Sequence, residues 1–205
     1  MADHIIRDLA ALEALYGQVN DVSALKEITY LHPHYAAFIK ASPFAMLATA
    51  GPHGLDASPR GDAPGFVQIV DDKTLLLADR RGNNRIDSLR NILSDPHVAL
   101  LFLVPGVGET LRVNGIAEIS ADPDLLARFT VHDKAPRSML VIHIESVFFQ
   151  CSRALIRSEL WNPERHLPRT NLPSTGQILA AVTHDRIDAQ TYDRELPPRL
   201  KATLY

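Results

Sequence analysis

Apolar positions near the start of the chain recur at Ile5, Ile6, Leu9, Leu12 and Leu15, a helical spacing that Gly17 ends. A second helix is predicted over 33–41, where Pro33 suits a first turn and Tyr35, Phe38 and Ile39 form an apolar face. The pattern then becomes strand-like. Residues 44–50 are an apolar run closed by the turn Gly51-Pro-His-Gly54, and 55–60 can return as its partner. After the loop Gly61-Asp-Ala-Pro-Gly65, the runs 66–70 and 74–78 flank Asp71-Asp-Lys73 and read as a hairpin. A helix follows the polar stretch 79–85, with Ile86, Leu89, Ile92 and Leu93 on one side, and Asp95-Pro96 ends it.

Runs 98–104 and 110–120, joined by Pro105-Gly-Val-Gly108, give two further strands. A short helix near Asp122 leads to the Val-, Ile- and Phe-rich strand 139–150. Beyond Ser152 the chain turns helical. Residues 162–174 carry three prolines and read as an extended arm, and short helices are expected near 176–182 and 189–196. About six strands, joined mostly by tight turns, predict a mainly β fold with flanking helices: a six-stranded antiparallel barrel, closed or partly closed. Residues 1–41 would be an N-terminal helical segment, 42–161 the barrel core, and 162–205 a C-terminal arm with helices belonging to the same domain.

At 205 residues the chain suits one well-buried domain, and its 46% hydrophobic and 22% charged content is ordinary for one. A formal charge of -3 argues against a nucleic-acid partner, since phosphate-tracking surfaces need clustered positive charge. The single cysteine, Cys151, excludes an intramolecular disulfide and a thiolate metal cluster. It ends an apolar strand, which favours buried packing over a reactive thiol. The opening Met1-Ala-Asp-His-Ile-Ile-Arg-Asp lacks the apolar core of a signal peptide, and no apolar run approaches the roughly 20 residues needed to span a bilayer. No membrane partner is expected, and the cytoplasm is the simplest compartment. His4, His32, His34 and His53 have no carboxylate at ligand spacing, so no metal site is expected. The Arg60-Gly-Asp62 tripeptide is not read as an adhesion motif.

The chemistry concentrates in Asp79-Arg-Arg-Gly-Asn-Asn-Arg85. Gly82 permits close approach, Asn83 or Asn84 can cap the following helix, and Arg80, Arg81 and Arg85 carry guanidinium forks that match phosphate oxygens. Taken alone, the same residues fit a basic surface loop with an ordinary asparagine cap equally well. A second arginine-bearing turn, Ser58-Pro-Arg-Gly-Asp62, lies one hairpin earlier, and two basic turns on neighbouring strand ends can converge on one dianion. The loop matches neither a Walker A nor a dinucleotide fingerprint.

The order of motifs carries a resemblance. A strand ending in Leu47-Ala-Thr-Ala-Gly-Pro-His-Gly54 precedes Ser58-Pro-Arg-Gly-Asp62, Leu76-Leu-Ala-Asp79 and Gly82-Asn-Asn-Arg85. Asp95-Pro-His-Val-Ala-Leu-Leu-Phe102, Glu109-Thr-Leu-Arg-Val-Asn-Gly115, Ala154-Leu-Ile-Arg-Ser158 and Leu160-Trp161 follow. Over roughly 42–161 this resembles the pyridoxamine 5'-phosphate oxidase-like flavoproteins, which have the FMN-binding split-barrel fold. It is most similar to a bacterial branch of FMN-dependent enzymes with unassigned substrates.

The resemblance implies a homodimer with FMN at the subunit interface. It places Arg60 and Arg85 on the FMN phosphate, with Ser58, Gly61, Arg80, Asn84 and the helix amides nearby. Ala78 and Asp79 would run beside the ribityl chain and ring, Thr110 would face the ring, and Arg157 and Trp161 would come from the partner. Where those oxidases commonly have lysine, this chain has Arg85; the following helix looks longer; and the oxidases' C-terminal substrate pattern is missing from 163–205. FMN binding therefore transfers and pyridoxamine phosphate oxidation does not. In a flavoenzyme the redox chemistry belongs to the ring, so no catalytic acid or base is nominated. The expected function is an FMN-dependent oxidoreductase acting on a small organic substrate. The alternatives are a flavin-binding or flavin-storing protein with little catalysis, or the same barrel holding a deazaflavin or haem.

Overall fold

Alternating burial along the strands curls one antiparallel sheet around a single apolar interior. In the computed structural model residues 4–205 are described; Met1, Ala2 and Asp3, which begin both the 1–41 segment and the stretch read against a signal peptide, lie outside the described residues. The strands are β1 (Glu27–Ile28), β2 (Phe44–Gly51), β3 (Gly54–Gly61), β4 (Val67–Ile69), β5 (Thr74–Asp79), β6 (His97–Leu103), β7 (Thr110–Ser120) and β8 (Ser138–Gln150). Their order is β3-β2-β6-β7-β8-β5-β4, with β1 paired to β8 beyond the end of β5. All pairings are antiparallel, and β3 and β4 are the two free edges of a split barrel. The expected count of about six becomes eight; β4 falls within the run 66–70 read as one arm of a hairpin, and the strand that no run marked is β1, whose two residues are too few for a periodicity of two to register.

The inward set comprises Ala45 and Leu47 of β2, Val98, Leu100 and Phe102 of β6, Leu111 and Val113 of β7, and Ile142, Ile144 and Val147 of β8. Strand β5 departs from alternation. Leu75 and Leu77 face this core, whereas Leu76 and Ala78 join Phe129 and Met139 in a second cluster on the other face. The helix α5 (Pro123–Ala127) and Phe129 supply that cover, which explains the unbroken Leu-Leu-Leu-Ala run.

The remaining helices are α1 (Leu9–Tyr16), α2 (Asp21–Leu25), α3 (Pro33–Ala41), α4 (Asp87–Ser94), α6 (Arg153–Ser158), α7 (Thr175–Val182) and α8 (Ala189–Ala202). Helix α4 sits across β2 and β3. Asn91 donates from Nδ2 to Thr49 Oγ1 at 3.1 Å, and Ser88 donates from Oγ to Asp56 Oδ2 at 2.8 Å. Gly51 makes room for this approach, since a Cβ there would lie 2.1 Å from Asn91 Oδ1. The predicted apolar face of α4 needs correcting: Ile92 is buried and Leu89 packs on the core, but Ile86 precedes the helix and Leu93 is exposed.

Two other expectations change. Cys151 is exposed, because β8 ends at Gln150 and the chain leaves the barrel there. The amide of Arg153 and the positive charges of Arg153 and Lys26 pull its thiol pKa below the usual value. Helix α8 continues six residues past the predicted end at Leu196, through Pro197 and Pro198. Among the described residues no helix is long and apolar enough to cross a membrane.

Candidate functional site

The gap between the β3 edge and the end of β5 opens into a cleft of about 840 Å³, within the range of small-molecule sites. Its floor and walls are β3 from Asp56 to Gly61, the end of β5, the loop leading to α4, and the start of α4. Arg137, Ser138, Leu204 and Tyr205 complete the rim.

Two crossed ion pairs span the split. Arg60 of β3 reaches Asp79 of β5 at 2.8 Å, and Arg80 returns to Asp62 at 3.1 Å while donating to the Phe129 carbonyl at 2.6 Å. These pairs fix the separation of the two edges, and with it the width of the cleft. Arg60 keeps one unused group: its Nε is buried and has no hydrogen-bond partner. A buried donor left unmatched is costly, and because the nitrogen is closed to the cleft in this conformation, an anion would satisfy it once the guanidinium turns outward.

The loop from Arg80 to Ile86 prepares a second anion contact. The expected asparagine cap is not made. Asn83 Oδ1 instead accepts from the Arg85 amide at 3.0 Å, Asn84 Oδ1 accepts from Arg137 at 3.1 Å, and Ile86 is the N-cap residue without a side-chain bond. Asn84 and Ile86 both lie in the left-handed region, at φ 60 and φ 53. Asparagine tolerates that conformation; a β-branched isoleucine is strained in it, and such strain concentrates at ligand sites. The result is an eight-residue helix whose first-turn amides have no side-chain cap, opening onto the cleft. Arg85 is 74% exposed and pairs with Asp87 at 2.7 Å.

The opposite rim is set by Tyr205, whose hydroxyl donates to Asp62 Oδ1 at 2.8 Å. The Arg80 guanidinium lies over its ring at 5.6 Å, and the His132 ring meets it edge-on at 5.4 Å. Burial alone would push the Asp62 pKa upward, but the Tyr205 hydroxyl, the Ala63 amide and Arg80 together outweigh it and hold it below the usual carboxylate value. A folded pKa below the unfolded one means that this contact stabilises above the unfolded value and is lost as pH falls through the folded one. The Tyr205–His132 ring contact, followed by nuclear Overhauser effects, should therefore be intact at neutral pH. It should fade as pH drops below about 4; a contact insensitive to acid would show that Asp62 is not the anchor.

Eight of the site residues expected from the sequence line this cleft together: Ser58, Arg60, Gly61, Ala78, Asp79, Arg80, Asn84 and Arg85. The Ser58–Gly61 segment is strand rather than the second basic turn it was read as. Thr110, Arg157 and Trp161 are not on the cleft. Thr110 is 8% exposed and donates to Gln150 Oε1 at 2.9 Å, and Trp161 donates from Nε1 to the Val107 carbonyl at 2.8 Å. These residues gather near the β6–β7 loop and α6. Asp62 and Tyr205 as a contact, and Arg137 as a rim residue, went unpredicted. Tyr205 lies 143 positions from its partner Asp62, and no local motif marks such a pairing.

A split antiparallel barrel with an arginine-lined cleft at its seam defines the class. A family model described as pyridoxamine 5'-phosphate oxidase matches residues 31–151, more than half of the chain, and the protein belongs to that family. Among solved structures, HupZ of Group A Streptococcus is 22% identical over 58% of this chain and 93% of its own, with a TM-score of 0.47. General Stress Protein 26 of Bacillus anthracis is 16% identical over 56% of this chain and 89% of its own, with a TM-score of 0.43. Among curated proteins, none matches the sequence.

Proposed function

We propose that the cleft binds FMN and that the protein is an FMN-dependent oxidoreductase acting on a small organic substrate. The observation that carries this reading is that Arg60, whose Nε is buried and unpartnered, and the uncapped start of α4 line one cleft. Together they offer a guanidinium donor and free helix amides to one terminal phosphate. Arg85 and Arg81 add charge at the mouth; Arg85 can exchange its exposed bond to Asp87 for a phosphate oxygen at little cost. Ala78 and Asp79 form the β5 wall along which the rest of the cofactor would run.

When bound, the flavin supplies hydride or electron transfer. The chain's own residues bind and orient. The Arg60–Asp79 and Arg80–Asp62 pairs hold both edges in register, and the phosphate donors set the depth of the cofactor. We further propose a homodimer, in which Thr110, Arg157 and Trp161 of one protomer complete the cleft of the other. Support comes from their position near the β6–β7 loop and α6, outside their own protomer's cleft.

The alternative is a flavin-storing role with little catalysis; among the described residues no His or Cys lines the cleft. Anaerobic addition of reduced nicotinamide to the FMN-loaded protein separates the two. An oxidoreductase that takes electrons from nicotinamide should lose its visible flavin absorbance within turnover time and regain it on admission of oxygen. Persistent colour would favour storage.

A further inference from the structure

The residues that follow α8 cross the rim of the cleft. Leu204 and Tyr205 both line it, and Tyr205 is held from several sides. Its hydroxyl donates to Asp62 Oδ1 at 2.8 Å, and its main-chain oxygen accepts from Lys134 Nζ at 2.8 Å. Its ring meets the Arg80 guanidinium on one side and the His132 ring on another. Asp62 follows β3 and Arg80 follows β5, so one side chain bridges the two edges of the split.

The bonding changes character between Thr203 and Leu204. Up to Thr203 the chain is bonded within its own helices. Thr203 donates its amide to the Arg199 and Leu200 carbonyls and its hydroxyl to the Arg199 carbonyl at 2.8 Å. Helix α8 is in turn locked to α7, because Asp193 accepts from the Gly176 amide at 2.7 Å and from the Ser174 hydroxyl. The two helices meet at Gly176, where a Cβ would lie 2.2 Å from the Ala189 carbonyl oxygen. Beyond Thr203, Tyr205 bonds to the seam and to the turn beside it, and Leu204 is exposed.

The seat of Tyr205 is fixed, whereas its anchors are exchangeable. Val131 and Lys134 exchange both main-chain hydrogen bonds, which holds His132 and Lys134 in a tight turn. The anchors themselves are a hydroxyl–carboxylate bond, an amine–carbonyl bond and two ring contacts, each of which water can replace at modest cost. Asp62 stays paired with Arg80 when the tyrosine leaves, so no charge is stranded. A hinge after Thr203 thus has a locked hairpin behind it and a reversible contact in front.

We infer that Leu204 and Tyr205 form a gate over the cleft: docked on Asp62 they shut its rim, and swung out about Thr203 they admit and release the ligand. None of the gate's seats is among the phosphate donors proposed above, so it closes over a loaded cleft as over an empty one. In the flavin-free protein, methyl relaxation dispersion at Leu204 reads exchange between docked and open states on the microsecond–millisecond scale. Tyr205→Phe, which removes one hydroxyl, should raise the open population about tenfold, and Lys134→Ala should raise it less. Stopped-flow flavin fluorescence then follows FMN, an arm that rests on the proposed cofactor. Tyr205→Phe should speed association and dissociation together, each about tenfold, with Kd unchanged within about threefold.

Identical Leu204 dispersion in wild type and Tyr205→Phe overturns the gate. Faster dissociation with unchanged association also overturns it, because Tyr205 would then be a contact of the bound flavin rather than a door. A wild type that takes up no flavin refutes the cofactor reading instead, and the Leu204 methyl groups alone then decide the gate.

Discussion

Replacing Arg60 with alanine should weaken FMN binding about ten- to a hundredfold, since a charge-assisted hydrogen bond contributes about 1.5–3 kcal/mol. Arg60 is chosen over Arg85 on the geometry. Its side chain is only 19% exposed, its Nη1 is committed to Asp79 at 2.8 Å, and its buried Nε has no partner. A turn of the guanidinium that brings this nitrogen to a phosphate replaces an unmet donor with a satisfied one, so the contact gains more than an exposed arginine can offer. The substitution also frees Asp79 from its cation, which places an uncompensated carboxylate beside the cofactor. Arg60→Lys retains charge but not the planar fork and should fall between the two. Flavin-fluorescence titration reads all three, with circular dichroism confirming the fold. Unchanged affinity in Arg60→Ala would remove β3 from the phosphate site.

The largest effect on stability is expected at Gly115, far from the cleft. The register between β7 and β8 shifts between Asn114 and Gly115, and the two strands approach closely there. A Cβ on Gly115 would lie 2.2 Å from the His143 carbonyl oxygen and 3.0 Å from its carbon. Those atoms are backbone of the neighbouring strand, so relief requires opening the longest pairing in the sheet. Gly115→Ala should cost about 3 kcal/mol, at the upper end of overpacking effects and a large share of a typical domain's stability. Urea denaturation should show the midpoint falling; an unchanged midpoint would mean that the bulge can relax. FMN affinity of the molecules that remain folded should not change.

The barrel was legible because its strands obey simple rules. β2, β6 and β7 alternate, the turn at Gly51–Gly54 joins a hairpin, and Asp95-Pro96 stops α4 where expected. What escaped depends on neighbours distant in sequence. β1 exists only because β8 runs past the end of β5, and Leu76 and Ala78 are buried only because α5 and Phe129 arrive from elsewhere. Cys151 read as buried from the apolar strand before it, but the strand stops one residue short and the thiol faces solvent.

The site divides in the same way. Arg60, Asp79 and Asn84 could be gathered because their motifs mark two adjacent strand ends. The helix cap could not be assigned, because Asn83 and Asn84 spend their side chains on Arg85 and Arg137 and leave Ile86 at the boundary. That substitution of a strained isoleucine for a capping asparagine is what leaves the helix amides free. The pairing of Tyr205 with Asp62 depends on a fold that brings the end of α8 to the seam of the barrel.

The central claim, that the seam of this split barrel holds FMN, is tested most directly by one spectrum. The purified protein is incubated with FMN, desalted, scanned in the visible range, and denatured so that released ligand can be weighed by mass spectrometry. The account predicts a protein-bound flavin spectrum and a released mass equal to FMN, at about one per chain if each seam is a complete phosphate site. A colourless protein that releases no flavin would contradict it.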